Sequence, residues 1–402
     1  MPHVRSVSIG VWLTRGSRHE PDAHTGIAHF VEHMLFKGTT TRSAEDIAQQ
    51  VDSIGGQLDA FTSKEYAGYY IKVLDEHLPL AIDLLSDLVS NPTFADEEIE
   101  REKKVILEEI KMVEDTPDDL VHELFAERFW NGHPLGRPIL GTPESVSALD
   151  SQTLRDYFQD VYVARNFVVV AVGNLEHDRL RALVERAFAT ISVDGSAIDN
   201  RQPVMSPGVE VRHKELEQSH VCFGTPGLPQ NHPDRYAAYA LNTVLGGSMS
   251  SRLFQNVREK RGLAYAVFSG LSAYHDAGSF SIYAGCANEA VRELIDVVVS
   301  EIRQLKGESL GADELRRAKD HLKGSLMLNL ESTSSRMSHL ARQEIYHDFT
   351  DGLDEILAGI EAVAANDVAR LADDFFRNGS LGVTVLGNVN DLLVEKEQLA
   401  LG

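Results

Sequence analysis

Two histidines four residues apart, with a glutamate beside the second, form the strongest chemical constellation in the chain: His29-Phe30-Val31-Glu32-His33. On a helix, residues four apart lie nearly one above the other, so both imidazoles face the same way. That is what a tetrahedral metal asks of two ligands on a rigid support. Glu32 lies about 60° round the same helix from His29, beside a metal without taking a ligand position. A carboxylate placed there can take a proton from a metal-activated water. Ile27, Val31, Met34 and Leu35 repeat at helical spacing on the other side, so the helix has a face to pin to a core.

A catalytic zinc usually takes three protein ligands and keeps one position open. A long acidic helix over Asp96 to Glu114 offers candidates. Ile99, Ile106, Ile110 and Val113 mark its apolar side, and Glu102 and Glu109 fall on that stripe; Glu108 points toward Val105 and Met112. A carboxylate on a core-facing stripe needs a partner, because burying it alone is costly. A zinc ion would serve Glu109, and Glu102 could orient a ligand or the water. A helix this rich in glutamate also places some on its inner boundary without any metal, so the stripe alone leaves the third ligand open.

The elements that carry these residues belong to a large chain. At 402 residues it exceeds what one core usually serves, and two domains are expected. Val4 to Trp12 reads as a strand, Ile27 to Phe36 as a helix stopped by Gly38, Leu78 to Leu88 as an apolar helix and Phe167 to Val172 as a buried strand. A stretch without periodicity, rich in Gly, Pro, Asn, Asp and Ser, marks a linker over 194–208. It separates an N-terminal metal-binding domain, 1–193, from a C-terminal metal-free one, 209–402. The halves look alike. Leu149-Asp150-Ser151 leads to Val170-Ala171-Val172-Gly173-Asn174, and Val363-Ala364-Ala365 leads to Thr384-Val385-Leu386-Gly387-Asn388, with one offset of 214 residues. A shared spacing over helix and strand points to duplication.

Composition excludes several functions. With 38 basic against 61 acidic residues and a formal net charge of −23, the surface repels phosphates, so no nucleic-acid partner is expected. No apolar run is long enough to span a bilayer, no membrane partner is expected, and no targeting segment is visible, so a bacterial cytoplasmic protein is the expectation. Cys222 and Cys286 make no disulfide framework and read as buried small hydrophobes.

With the motif in view, the chain resembles the insulinase/pitrilysin/mitochondrial processing peptidase family. His29-x-x-Glu32-His33 is followed after 75 intervening residues by Glu109. In this family the residue at that spacing is the third ligand, so the resemblance implies Glu109, not Glu108, with Glu102 at a further acidic position near the site. His133 to Gly141 resembles a loop of the family's first half, and Leu245 to Phe254 resembles a segment of its second. Arg258 and Tyr265 match an Arg–Tyr pair that holds substrate and the oxyanion in relatives. Gly55 to Thr62 resembles the edge strand that binds peptide by extending the sheet, with Leu58, Asp59, Ala60 and Phe61 in contact; relatives often have Asn in place of Asp59. The second half carries no His-x-x-Glu-His near Tyr239 to Leu245, which fits one active and one metal-free repeat.

The resemblance implies an α+β protein of two homologous α/β-sandwich domains, each a mixed, mainly antiparallel sheet packed with helices. It implies a zinc endopeptidase holding one Zn2+ per chain, with Glu32 as general base, acting on peptides or unfolded segments inside a closed chamber. One chain supplies one half-shell, so a homodimer is expected, Arg258 and Tyr265 serving the zinc of the other subunit. The rival expectation is a non-catalytic or partner-dependent subunit of such a complex. Relatives begin with an extra strand and hairpin ahead of the stretch that starts here at Val4; a truncated start or a remade first-sheet edge is expected.

Overall fold

A computed structural model describes residues 1–197, 201–308, 310–347, 351–390 and 392–401. Residues 198–200, inside the expected linker, lie outside the described residues. Two compact units emerge. Unit 1 comprises Met1–Met112, Arg137–Arg201 and Leu328–Thr350; unit 2 comprises Val113–Gly136, Gln202–Met327 and Asp351–Gly402.

Unit 1 is built on a four-stranded antiparallel sheet of β1 (Ser6–Leu13), β2 (Gln57–Thr62), β3 (Ala67–Leu74) and β4 (Phe167–Gly173), in the order β2-β3-β1-β4. β1 is central and buried along nearly its whole length on both faces. On one face Val7, Ile9, Val11 and Leu13 meet Ile27, Val31, Leu85 and Val89 in a single core. On the other, Ser8 bonds the hydroxyls of Thr333 and Ser334 at 2.8 and 3.0 Å, while Trp12 packs with Met337 and Ala341.

Unit 2 has a five-stranded sheet of β5 (Val209–His213), β6 (Gln218–Gly227), β7 (Ala264–Ala273), β8 (Gly278–Ala287) and β9 (Gly382–Gly387), in the order β5-β9-β6-β8-β7. Only β5 and β9 run parallel. The repeat in the sequence lands on matching places. The Ser151–Val161 helix precedes β4, which pairs with central β1; the Ala365–Phe375 helix precedes β9, which pairs with central β6. β5 adds a strand beyond β9; beyond β4, unit 1 holds no counterpart among the described residues.

The units are not the contiguous spans 1–193 and 209–402. Each takes a helix from the other half of the sequence. Pro117–Phe129 packs on β6 and β9, and Thr333–Tyr346 packs on β1 and β4. The reason is burial: central strands buried on both faces need a layer on each side, and an amphipathic helix can supply one from either half. Gly224 on β6 shows how close the approach is. A Cβ there would lie 2.1 Å from the Phe125 ring.

Candidate metal centre

The Ile27–Leu35 helix begins at Gly26, whose φ of 93° suits glycine and whose missing side chain leaves the helix without a cap of its own. A Cβ at Gly26 would also lie 2.7 Å from the Leu140 carbonyl oxygen, so the loop that ends at Gly141 presses on this helix start. Glu20 caps it from outside: its carboxylate accepts the N–H of Gly26 at 2.9 Å and that of Ala28 at 2.8 Å. Glu20 is buried, and burial pushes its carboxyl up to about 8. The helix is thus fixed in phase just before His29, with Ile27, Phe30, Val31, Met34 and Leu35 in the core.

One turn apart, the rings of His29 and His33 have centroids 4.6 Å apart. Glu109, from the Asp96–Asp115 helix, reaches them: its Oε2 is 3.8 Å from His29 Nε2 and 3.6 Å from His33 Nε2. Two metal–ligand bonds of about 2 Å at a tetrahedral angle separate their donor atoms by roughly 3.4 Å, so this triad fits one small cation. Among the described residues it is the only cluster of three such side chains close enough to hold a metal. Burial, aided by the charge of His33, lowers His29 to about 3, which keeps its ring neutral as a ligand must be. Two imidazoles and one carboxylate make a catalytic zinc set with a position to spare. Glu108 turns outward to Lys111, at 2.7 Å.

The supporting contacts are specific. Glu102, buried, accepts from His33 Nδ1 at 3.0 Å and from Lys37 Nζ at 2.6 Å, which directs His33 Nε2 toward Glu109. His29 Nδ1 is buried without a hydrogen-bond partner. Glu32 stands beside the triad, largely buried, and Thr62 Oγ1 donates to its Oε2 at 2.5 Å. Burial raises the pKa of Glu32; the Thr62 bond and the charge of His33 oppose that shift, and Asp59 and Glu109 add to it.

Sequence comparison decides the family. Residues 1–143 match the profile described as "Insulinase (Peptidase family M16)", and residues 148–322 match that of the "Peptidase M16 inactive domain". An uncharacterized zinc protease of Bacillus subtilis is 45% identical over 93% of this chain and 91% of its own. Another, of Streptomyces coelicolor, is 41% identical over 97% of this chain and 87% of its own. The chain belongs to the insulinase family, peptidase family M16. Two solved structures share the fold. A Helicobacter pylori protease superimposes with a TM-score of 0.89 at 24% identity, covering 95% of this chain and 94% of that one. A Pseudomonas fluorescens protein described as a peptidase M16 inactive domain gives 0.91 at 21%, covering 98% and 95%. The expected family and α+β architecture therefore both hold, and zinc is the metal for which the insulinase-family relatives are named.

The remaining site residues take these places. β2 pairs only with β3, so its other edge is free among the described residues. Leu58 and Ala60 pack toward the core that holds the metal helix. Asp59 alternates to the other face, where Tyr70 donates to it at 3.0 Å, and Phe61 sits among Tyr66 and Tyr70. Arg258 and Tyr265 belong to unit 2 and meet each other. The Arg258 guanidinium lies 4.8 Å from the Phe254 ring centre and 5.0 Å from that of Tyr265. Arg258 comes from a π-helical turn, Phe254–Glu259, and a bulge between Ala264 and Ala266 turns Tyr265 outward, 80% exposed. Cys222 and Cys286 are free and buried. No helix among the described residues is long and apolar enough to cross a membrane. Glu20, Lys37 and Thr62 escaped the sequence reading, because a Glu before a turn, a Lys after a helix and a Thr in a strand are all ordinary.

Proposed function

We propose that this chain is a zinc-dependent endopeptidase that hydrolyses peptides or unfolded segments. The reading rests on one observation: His29, His33 and Glu109 converge with Glu32 beside them and free of the ligand positions. Bound zinc would supply a Lewis acid that makes water a nucleophile near neutral pH. Glu32 takes the proton of the attacking water and hands it to the leaving amine. Burial raises its pKa, which brings it nearer the range where a carboxyl both accepts and returns a proton. The free edge of β2 takes the substrate backbone as an added strand, with Leu58, Asp59, Ala60 and Phe61 as the contact residues. Arg258 offers fixed cationic donors and Tyr265 a hydroxyl where charge develops. In this reading they serve the zinc of a second copy, and the substrate is enclosed in the chamber of a homodimer.

Elemental analysis and cleavage of a quenched basic peptide, on wild type and Glu32→Gln, test it. About one zinc per chain in both, with cleavage only in wild type, is the expected result. Zinc without cleavage by wild type, even with cell extract, would replace it with a non-catalytic subunit.

A further inference from the structure

Glu32 reaches its working position on a flexible side chain, whereas its neighbour Thr62 does not. Thr62 ends β2, and its backbone is held by the hairpin: Phe61 pairs with Gly68, Thr62 with Ala67, and the Ser63 N–H bonds the Tyr66 carbonyl at 2.9 Å. Its β-branched side chain has one stiff torsion. The alternation of a strand puts Thr62 on the same face as Leu58 and Ala60, the face turned to the metal helix. The Thr62 hydroxyl therefore arrives at Glu32 from a rigid element with little freedom of its own.

We infer that Thr62 is a positioning residue: its hydroxyl anchors one oxygen of the Glu32 carboxylate and so ties the general base to the edge strand. The inference rests on the reading of Glu32 as base. The bookkeeping of protons favours it. An ionised carboxylate only accepts, and a threonine hydroxyl has a single hydrogen. That hydrogen goes to Oε2, at 2.5 Å, which leaves Oε1 to take the proton from the nucleophile. Thr62 keeps its own proton throughout, so it neither consumes nor supplies one. Without the anchor, Glu32 would have to be ordered during each turnover, at a cost in side-chain entropy. One strand thereby does two jobs. Its free backbone edge sets the height of the added peptide, and its last side chain sets the base, so the scissile bond and the proton acceptor share one frame.

The test uses Thr62→Val, which keeps the shape and loses the hydroxyl, and Thr62→Ser, which restores it. Zinc content, kcat and KM are measured on the whole protein. Thr62→Val is expected to keep its zinc and a KM within about twofold, with kcat down on the order of tenfold to a hundredfold, at or below the lower end of the roughly 10²–10⁴-fold that a whole general base contributes, since Glu32 itself remains. Thr62→Ser is expected within about threefold of wild type. A second measurement needs no activity. In metal-free protein, Thr62→Val should lower the thermal midpoint by on the order of 2 °C when Glu32 is present and not in a Glu32→Ala background. The inference is overturned by a Thr62→Val kcat equal to wild type, by a loss that serine does not recover, or by equal midpoint shifts in both backgrounds. If wild type itself cleaves nothing, the peptidase reading falls and takes the inference with it. If wild type cleaves and Thr62→Val matches it, only the inference falls.

Discussion

Replacing Glu102 by Gln isolates the support beneath the metal. Glu102 is 4% exposed and joins His33 Nδ1 at 3.0 Å to Lys37 Nζ at 2.6 Å. The substitution keeps the size of the side chain and removes its charge. A hydrogen bond to a charged group contributes about 1.5–3 kcal/mol, and its loss weakens both the orientation and the basicity of the imidazole. At about 1.4 kcal/mol per factor of ten, zinc affinity should fall between tenfold and a hundredfold. The assay is competition for zinc against a chelating chromophore, started from metal-free protein. The metal-free thermal midpoint serves as control, because Lys37 is partly exposed and finds water once its partner is neutral. A zinc affinity for Glu102→Gln within threefold of wild type would refute the reasoning, since His33 would then be oriented without its carboxylate.

Two further substitutions probe the frame around the site. Burial holds the Glu20 carboxyl at about 8, against about 4.3 in an unfolded chain. The folded protein therefore keeps a proton that the unfolded chain has lost. Stability from this group is full below about pH 4 and drains away as the pH rises to 8. Glu20→Gln cannot titrate, so its thermal midpoint in metal-free protein should change less between pH 5 and 8; equal slopes for both proteins would mean that Glu20 is ionised when folded. At Gly224, the missing Cβ makes room for Phe125. Gly224→Ala should cost about 1–3 kcal/mol as an overpacked core does, read by thermal unfolding. Adding Phe125→Leu should return part of that loss, and no recovery would mean that strain at β6 has another source.

The metal helix was legible because its chemistry lies within one periodic element: spacing alone sets His29, Glu32 and His33 on a common side. The stripe on the acidic helix narrowed the carboxylates to Glu102 and Glu109, and the structure buries the first and turns the second to the histidines. Choosing Glu109 as ligand took the family resemblance, because helix phase says which side a residue is on and not what it meets. The exchanged helices were not legible for the same reason. Pro117–Phe129 and Thr333–Tyr346 have apolar residues for packing, and nothing in their periodicity names the sheet they cover. Tyr265 owes its exposure to a bulge, and Thr62 meets Glu32 across 30 positions; neither relation leaves a trace in local pattern.

The late arrival of the Thr333–Tyr346 helix sets an order on synthesis. His29, Glu32, His33 and Glu109 have all been synthesised once residue 109 has been added. Trp12 and Ser8, at the very start of the chain, wait for partners at positions 333 to 341. A nascent chain can thus gather its donors while one side of β1 and β4 is still bare. Cutting the gene at the linker would leave that side bare permanently, so the two halves of the message are better expressed as one reading frame, or together, than apart.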